Sequence, residues 1–380
     1  MRIGFMLRSL DEKGGIGVYT KYLIEGLLNA DTKNEYILFY KSKENLGRFA
    51  DKPNVKEVYL SGSNKIYWDQ VKVALACKKE KVDLVFNPKF TVPIFAPCKK
   101  MMVLHGADWF VPEQAKYYGK WDVRFVKTVL PIYMKKADSV LSVSEITTEN
   151  FNKILKVPEG KIKTVYFGPA KFFKRVTEQN KLKSVKEKYK LPEKFIFSLS
   201  KYGVGGGLRK NIDKVFMAYE LAYTTIPKDV KLVIGGKNCD KYVEDLKLPK
   251  KEYMDNIVFP GWIEQEDLPA IYTMAELYLY PSNVEAFPIP ITEAMACGTP
   301  IITSDANGLR EIAGEAAFFI NPNNPREIVD AIIKVISSSE VKNNLSQKGL
   351  ERSKIFDWNK CVNRTLELFD EVIKNGTASN

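Results

Sequence analysis

Residues 282–300 read Ser-Asn-Val-Glu-Ala-Phe-Pro-Ile-Pro-Ile-Thr-Glu-Ala-Met-Ala-Cys-Gly-Thr-Pro. The residues before them, 277–281, form a short apolar run that predicts a buried strand ending at a proline. Within the stretch, prolines favour the start of a helix and Gly298 favours its end, so a helix is expected over 290–296. A strand, a loop and a helix in this order are typical of the repeating unit of a parallel α/β sheet.

Two glutamates flank the start of the predicted helix. Glu285 falls in the loop between strand and helix, and Glu293 falls about one turn inside the helix. A helix N-terminus offers unpaired N–H groups and the positive end of a dipole, which together favour a phosphate group. Two carboxylates beside it can accept hydrogen bonds from sugar hydroxyls. The stretch therefore predicts a binding site for a nucleotide sugar.

Length and composition predict a globular protein of two domains. The chain has 380 residues, more than one core usually fills, with 45% apolar and 27% charged residues. Its five cysteines are scattered, so we expect reduced thiols and no metal site. The N-terminus predicts a first strand rather than a signal peptide, and no apolar run is long enough to span a bilayer. A formal net charge of +12 favours anionic partners.

Strand and helix patterns alternate along both halves of the chain. The first half begins with a strand, the glycine loop 14–17 and a helix, and further helices are predicted at 68–79 and 133–137. A second alternating series starts near residue 195, and an amphipathic helix follows it. We therefore predict an α/β fold of two Rossmann-like domains that face a cleft. The predicted boundaries are 1–167 and 168–357, with the C-terminal helix at 358–380 packing back on the N-terminal domain.

The segment 282–300 resembles the E-x7-E motif of the family 4 retaining glycosyltransferases, commonly written S-x-x-E-G-F-G-L-P-x-x-E-A-M-A-x-G-x-P. The resemblance extends along nearly the whole chain, from Gly14 to the helix that begins at Asp357-Trp358. Ala286 and Pro288 occupy two positions where the family pattern has glycine, and Pro288 has no N–H to donate. The resemblance implies a GT-B fold in which the C-terminal domain binds most of the donor. It also implies retaining transfer of a hexose from a nucleotide diphosphate sugar without a metal.

The resemblance also assigns roles within the C-terminal domain. Glu285 is expected to contact the transferred sugar, Glu293 the ribose, and Lys210 with Arg209 the diphosphate. The motif residues Phe287 and Ile289 are expected in the same donor site.

The cations Arg209 and Lys210 begin the helix that follows the strand predicted at 195–200. Adjacent cations at a helix N-terminus oppose the dipole by roughly 0.3–1 kcal/mol. A bound pyrophosphate would relieve that conflict, and the cations would neutralise charge on the leaving phosphate. The family pairs this lysine with a basic residue at the strand end. Lys201 and Arg209 are both candidates for that second cation.

His105 is the only histidine and follows the strand predicted at 101–104. The carboxyl ends of parallel strands are where such sheets bind ligands, and a neutral imidazole there can hydrogen-bond a sugar hydroxyl. A lone histidine is more often structural. Because the family carries a histidine at this strand end, the resemblance implies that His105 reaches the transferred sugar. Asp108 is a weaker candidate for the acid that follows the histidine in the family.

Two glycine clusters and one tryptophan complete the candidate site. Gly14 and Gly15 resemble the family's N-terminal glycine loop, whose backbone approaches the donor phosphate, although a tight turn alone would also explain them. The cluster 203–207 lacks the acidic residue that completes a dinucleotide fingerprint, so hydride transfer is disfavoured. Trp262 follows a predicted strand, where either contact with the nucleotide base or packing in the core would account for it.

The predicted reaction is front-face attack assisted by the leaving phosphate, because no carboxylate is clearly placed as a covalent nucleophile. The expected donor carries UDP or GDP, the acceptor is a glycan or a lipid-linked saccharide, and no resident cofactor is required. No motif supports nucleic-acid binding, and the basic run 171–194 is expected to be a solvated helix face. The expected location is the cytoplasm, where an anionic surface on the inner membrane face is a further candidate partner. The alternative is a catalytically degenerate protein that binds sugar nucleotides, since Pro288 alters the site.

Overall fold

Two compact units make up the structure. The computed structural model describes residues 1–12, 14–203, 209–248 and 251–377, so most of the glycine cluster 203–207 lies outside the described residues. One unit comprises Met1–Phe167 and the chain from Asp357 onwards, and the other comprises Gly168–Phe356.

The first unit contains a parallel sheet of seven strands. The strands are β1 (Arg2–Met6), β2 (Glu35–Tyr40), β3 (Val55–Tyr59), β4 (Leu84–Asn87), β5 (Lys99–Leu104), β6 (Ser139–Ser142) and β7 (Ile162–Thr164). Their order across the sheet is β3-β2-β1-β4-β5-β6-β7. After the basic residues that begin β1 and β5, the central strands β1, β4 and β5 are mostly apolar and buried, as expected where helices cover both faces of a parallel sheet.

Helices connect these strands. They are α1 (Gly15–Ala30), α2 (Lys65–Tyr67), α3 (Val73–Lys79), α4 (Pro112–Ala115), α5 (Lys120–Lys136) and α6 (Glu145–Leu155). The helix predicted at 133–137 is in fact the last part of α5, which begins at Lys120. Pro131 lies inside α5, where a proline normally indicates a helix start or end. Large apolar side chains also lie on the outer face of α5, so the apolar residues do not follow one helical period.

The second unit contains a parallel sheet of six strands. The strands are β8 (Lys194–Leu199), β9 (Val230–Gly235), β10 (Ile257–Val258), β11 (Leu277–Tyr280), β12 (Ile301–Ser304) and β13 (Ala317–Ile320). Their order is β10-β9-β8-β11-β12-β13. The helices are α7 (Gln179–Lys188), α8 (Ile212–Ala222), α9 (Tyr242–Asp245), α10 (Leu268–Met274), α11 (Ile289–Cys297), α12 (Asn307–Ala313), α13 (Pro325–Ser337) and α14 (Ser339–Ser353).

The last helix, α15 (Trp358–Thr377), belongs to the first unit. It packs against α1 so closely that a Cβ on Gly26 would lie 2.5 Å from Val362 Cγ2. Its Phe369 ring packs on Phe86 of β4, with 5.3 Å between the ring centroids. None of the helices in the described part of the chain combines the length and the apolar character that crossing a bilayer requires.

The prediction of two Rossmann-like α/β sheets is confirmed. Strand order reverses between β1 and β4 in the first sheet and between β8 and β11 in the second. The crevice outside the carboxyl ends of the strands at such a reversal is where open α/β sheets bind ligands. In the second sheet, the segment after β8 and the loop after β11 are therefore expected to carry the site.

Candidate functional site

Amide hydrogen bonds join the segment before α8 to the loop after β11. Asn211 Nδ2 donates to Pro281 O over 2.7 Å and to Asn283 Oδ1 over 2.8 Å, and Asn283 Nδ2 donates back to Asn211 Oδ1 over 2.7 Å. The backbone N–H of Asn283 donates to Arg209 O over 3.0 Å. Asn211 has a φ of 52°, a left-handed conformation that asparagine tolerates better than most residues. These bonds fix residues 209–211 at the reversal point of the second sheet.

Three side chains surround the buried carboxylate of Glu285. The hydroxyls of Tyr280 and Ser282 donate to its Oε1 over 2.6 Å and 3.1 Å. Arg209 Nη2 lies 3.4 Å from its Oε2. A buried carboxylate is stable only with such partners. Because Oε1 already accepts two hydrogen bonds, Oε2 is the oxygen that a ligand hydroxyl would share with the cation.

Lys210 lies beside the same carboxylate, with Nζ 5.3 Å from the centroid of the Tyr280 ring. Burial lowers the pKa of Lys210. The nearby carboxylates of Glu285 and Glu293 oppose that shift, whereas the positive charge of Arg209 adds to it. The charges of Arg209, Lys210, Glu285 and Glu293 are therefore close enough to interact. A bound phosphate would stabilise the charged form of both cations.

Glu293 is buried inside α11, and the Tyr272 hydroxyl donates to its Oε2 over 3.2 Å. Burial raises the pKa of Glu293 to about 7, while the hydrogen bond from Tyr272 and the charge of Lys210 act in the opposite direction. Near neutral pH this carboxyl group can therefore either donate or accept a hydrogen bond.

The N-terminus of α11 does not provide the unpaired N–H groups predicted for it. Pro290 has none, and the N–H groups of Ile289 and Ile291 donate to Phe287 O and Pro288 O, each over 3.0 Å. The N–H of Thr292 also donates to Pro288 O, over 3.4 Å. The prediction that this helix start binds phosphate through free N–H groups is wrong, because the two prolines change the first turn. Among the described residues near this helix start, the cations Arg209 and Lys210 before α8 carry the positive charge that suits phosphate binding.

His105 lies in the first unit, directly after β5. Its Nε2 lies 2.8 Å from Pro88 O, and since a carbonyl oxygen only accepts, Nε2 carries the proton and Nδ1 is the acceptor. Burial lowers the pKa of His105 to about 4, although the bond to Pro88 opposes the shift. The imidazole is therefore neutral near pH 7, and its Nδ1 can accept a hydrogen bond from a sugar hydroxyl.

The glycine loop of the first unit leads into the helix that contacts this histidine. Gly14 caps α1 and Gly15 is its first residue, and both are exposed. The ring of Tyr19 in α1 packs edge-on against His105, with 4.9 Å between the centroids. Asp108, the weaker candidate, accepts a hydrogen bond from the Tyr118 hydroxyl over 2.8 Å.

Residues 183–352 match a sequence model of the glycosyl transferases group 1, and this region contains Arg209, Lys210, Glu285 and Glu293. The second unit therefore contains a group 1 glycosyltransferase domain. Its finer placement in family 4 stays a prediction.

Relatives agree with this match, and solved structures share the fold. O-antigen chain mannosyltransferase B of Escherichia coli is 24% identical over 292 residues, which cover 71% of this chain and 74% of that protein. Serotype-specific mannosyltransferase WbdA of Escherichia coli is 23% identical over 245 residues, which cover 63% of this chain but only 30% of that protein. Anabaena Alr3699/HepE in complex with UDP-glucose is 17% identical and similar in structure, with a TM-score of 0.73 over 98% of this chain and 100% of that chain. The likeness in structure confirms the GT-B fold.

The other predicted donor-site residues of this glycosyltransferase differ in exposure. Lys201 is exposed after β8, and its carbonyl accepts a hydrogen bond from Tyr242, whereas Arg209 is the cation beside Glu285. Trp262 is 66% exposed, so packing in the core does not account for it. Phe287 is buried, and Ile289 is the partly buried first residue of α11. Among the residues that the structure describes, no three His, Cys, Asp or Glu side chains are grouped so as to bind a metal ion.

Sequence reasoning did not single out the residues that position the glutamates in this glycosyltransferase. Tyr280 and Ser282 bind Glu285, Tyr272 binds Glu293, and the pair Asn211 and Asn283 joins the two loops. The sequence could have indicated Tyr280 and Ser282 as partners of Glu285, because both lie within five residues of it in the chain. Tyr272 and the asparagine pair are separated from their partners by 21 and 72 residues, so only the fold brings them together.

Replacing Glu293 with Gln is expected to remove a pH dependence of stability. The pKa of Glu293 is raised to about 7 in the folded state, above its ordinary value of 4.5, so the folded state binds the proton more tightly. The contribution of Glu293 to stability is therefore fully present below pH 4.5 and is lost as pH rises through 7. Between pH 5 and pH 8 the wild type should lose roughly 2–3 kcal/mol that Glu293→Gln does not lose. Urea unfolding at both pH values measures this, with exposed Glu266→Gln as the control; parallel losses in all three proteins would contradict it.

Replacing Gly308 with Ala is expected to displace the backbone at Glu285. The Gly308 N–H donates to Glu285 O over 3.0 Å, and a Cβ at this position would lie 2.5 Å from Ala286 O and 2.7 Å from Glu285 O. Because both obstacles are backbone atoms, the loop must move, at a cost of about 1–3 kcal/mol. We expect the kcat of sugar transfer to fall at least about 10-fold.

Gly349→Ala is the matched control, since its Cβ would meet only ordinary contacts, the nearest at 3.5 Å. It should retain the kcat of the wild type. Equal kcat values for the two alanine variants would show that the position of the Glu285 backbone does not matter for transfer.

Proposed function

We propose that this glycosyltransferase transfers a hexose from a nucleoside diphosphate sugar to a glycan or lipid-linked acceptor, with retention of configuration at the anomeric carbon. The observation that supports the proposal is the convergence of Arg209 and Lys210 with Glu285 and Glu293 at the reversal point of the second sheet. The mannosyltransferase names of two relatives support a hexose, and a similar structure contains UDP-glucose. The donor is therefore a UDP- or GDP-linked glucose or mannose.

Each group of the site has one proposed task. Arg209 and Lys210 neutralise the diphosphate, and Glu293 accepts hydrogen bonds from the ribose. Glu285 Oε2 accepts from a hydroxyl of the transferred sugar, while the bonds to its Oε1 fix the orientation of the carboxylate. Trp262 contacts the base. His105, Gly14 and Gly15 belong to the first unit, and the roles that the resemblance implies for them stay predictions.

The proposed bond exchange takes place on one face of the sugar. The bond between the anomeric carbon and the diphosphate oxygen breaks, and the acceptor hydroxyl oxygen bonds to that carbon from the same side. The proton of that hydroxyl passes to the departing phosphate oxygen. Glu285 is ill suited as a covalent nucleophile because it already accepts two hydrogen bonds and faces Arg209. Trapping a covalent glycosyl adduct on the enzyme would overturn this part of the proposal.

Charge on the leaving diphosphate is the main electrostatic demand of the reaction. We propose that Arg209 and Lys210 meet this demand without a metal ion, because Arg209 offers a planar fork of N–H donors and Lys210 a compact charge beside it. Addition of a chelator should then leave the rate of transfer unchanged. A rate that depends on added Mg²⁺ or Mn²⁺ would contradict the metal-independent form of the proposal.

A ligand screen followed by an activity assay tests the function. UDP, GDP and ADP, each alone and as a hexose conjugate, are added during thermal unfolding. A ligand present at a hundredfold excess over its dissociation constant should stabilise the fold by about 2.7 kcal/mol. Hydrolysis or transfer of the hexose from the stabilising donor would support the enzyme. Stabilisation without turnover would instead favour a catalytically degenerate protein that binds sugar nucleotides. This is the second candidate function, because the N–H groups at the start of α11 already donate to backbone carbonyls.

A further inference from the structure

Helix α5 of the first unit is apolar on two opposite faces. Val126 and Leu130 are buried in the core beneath it. On the other side, Trp121 is 81% exposed, Phe125 40% and Ile132 47%. Their separations of four and seven residues align the three side chains along one outward stripe. Apolar packing within the described part of the unit therefore accounts for only one of the two faces.

Cations flank the outward stripe. Helix α5 contains only one acidic residue, Asp122, and five basic residues: Lys120, Arg124, Lys127, Lys135 and Lys136. None of these five forms an ion pair with another residue that the structure describes, and all five are exposed. The outer face of α5 therefore combines large apolar side chains with uncompensated positive charge.

The basic helix α7 of the second unit shows that positive charge alone does not distinguish α5. Lys181 and Lys188 of α7 both bind Asp267, at 2.5 Å and 2.7 Å. Lys186 pairs with Glu193. No exposed Trp or Phe lies on α7, whose sequence is strongly polar. The basic run 171–194 is thus partly neutralised, as a solvated helix face would be.

We propose that the outward face of α5, defined by Trp121, Phe125, Ile132 and the five flanking cations, docks on the surface of an anionic lipid bilayer. Aromatic side chains are favoured at the boundary between headgroups and acyl chains, and basic side chains are attracted to anionic headgroups. The helix lies along the surface with the stripe turned towards the acyl chains. Docking rests on this surface alone and not on the proposed transfer reaction.

Two other binding partners for this face, a second copy of the chain and a nucleic acid, fit it less well than a bilayer. Two copies of α5 would bring like charges together, so self-association through the stripe is disfavoured. A nucleic acid would be attracted to the cations, but stacking on bases does not account for the aliphatic Ile132 and Pro131 on the same exposed side. A bilayer matches both the apolar stripe and the cations.

Co-sedimentation of the full chain with vesicles tests the proposal without donor or acceptor, so its outcome is independent of catalysis. The protein should bind vesicles of equal parts phosphatidylcholine and phosphatidylglycerol and bind pure phosphatidylcholine weakly. Lys135→Gln with Lys136→Gln should lower the partition coefficient about 25-fold, since each cation near the surface contributes about fivefold. Lys174→Gln with Lys183→Gln removes the same charge from exposed positions in the second unit and should change binding less than about 2-fold.

Substitutions in the stripe test the apolar contribution. Trp121→Ser should lower the partition coefficient about 10-fold or more, whereas Leu75→Ser, at another exposed apolar position in the same unit, should not. Tryptophan fluorescence should shift to shorter wavelength when anionic vesicles are added, and the shift should be absent in Trp121→Phe. Melting temperatures check that each variant is folded. If Trp121→Ser does not fold, the double variant Lys135→Gln with Lys136→Gln tests the proposal by itself.

Three results would overturn the assignment. The first is equal vesicle binding by the α5 variants and their controls. The second is no binding of the wild type to anionic vesicles. The third is a change of oligomeric state or of RNA affinity, with unchanged vesicle binding, when Trp121 or the lysine pair is substituted.

Discussion

Glu285→Gln is expected to lower the kcat of hexose transfer by about 100-fold to 1,000-fold, the effect typical of removing one electrostatic contact to a transition state. Gln keeps the shape of the side chain but removes the charge that Arg209 and Lys210 face. One side-chain oxygen of Gln can still accept from Tyr280 and Ser282, so the fold should change little. Steady-state kinetics with the stabilising donor measure the effect, and the melting temperature reports the fold.

Glu266→Gln is the matched control for this substitution. Glu266 is exposed in the same unit, so its replacement should leave kcat within about 2-fold of the wild type. Glu285→Ala should in addition destabilise the protein by about 1–3 kcal/mol, because it leaves the buried hydroxyl of Tyr280 without the carboxylate that accepts its hydrogen bond. A Glu285→Gln enzyme with wild-type kcat would show that this carboxylate does not contact the reacting sugar.

Lys210→Met is expected to weaken the binding of the nucleoside diphosphate about 10-fold to 100-fold, which corresponds to the loss of one charge-assisted hydrogen bond. The transfer rate should fall further, because the negative charge on the diphosphate grows as the sugar departs. Met keeps the length and the apolar stem of the side chain, so its contact with the Tyr280 ring should be retained. Calorimetric titration with UDP and GDP measures the affinity, and single-turnover kinetics measure the chemical step.

Substituting the neighbouring cations decides which one assists Lys210. Arg209→Met should lower the affinity for the diphosphate about as much as Lys210→Met, because Arg209 lies beside Glu285. Lys201→Met should have a smaller effect, as should Lys174→Met, the exposed control on the same unit. A larger loss for Lys201→Met than for Arg209→Met would reverse the proposed roles of the two residues.

Much of the fold could be predicted from sequence because the signals are local. Buried apolar runs such as β11, followed by glycine or proline, indicated a parallel sheet in each half of the chain. Helix α5 shows the limit of that reasoning. A helix whose outer face carries Trp121, Phe125 and Ile132, and which contains Pro131, has no simple apolar period, so only its last turn was predicted.

The candidate site was predictable only in part, for a physical reason. Glu285 and Glu293 belong to one short motif, so their spacing could be read directly from the sequence. Their hydrogen-bond partners depend on which strands and helices become neighbours, as with Tyr272 and Glu293. The free N–H groups expected at α11 follow from a general rule about helices, and Pro288 and Pro290 make this helix an exception.

Backbone hydrogen exchange, measured with and without the stabilising nucleoside diphosphate sugar, locates the donor site. We expect the ligand to slow exchange in peptides that cover 209–215 and 282–293 and to leave exchange in 179–188 of α7 unchanged. Slowed exchange confined to other parts of the chain, with both site segments unaffected, would contradict the assignment of the donor site to Arg209, Lys210, Glu285 and Glu293.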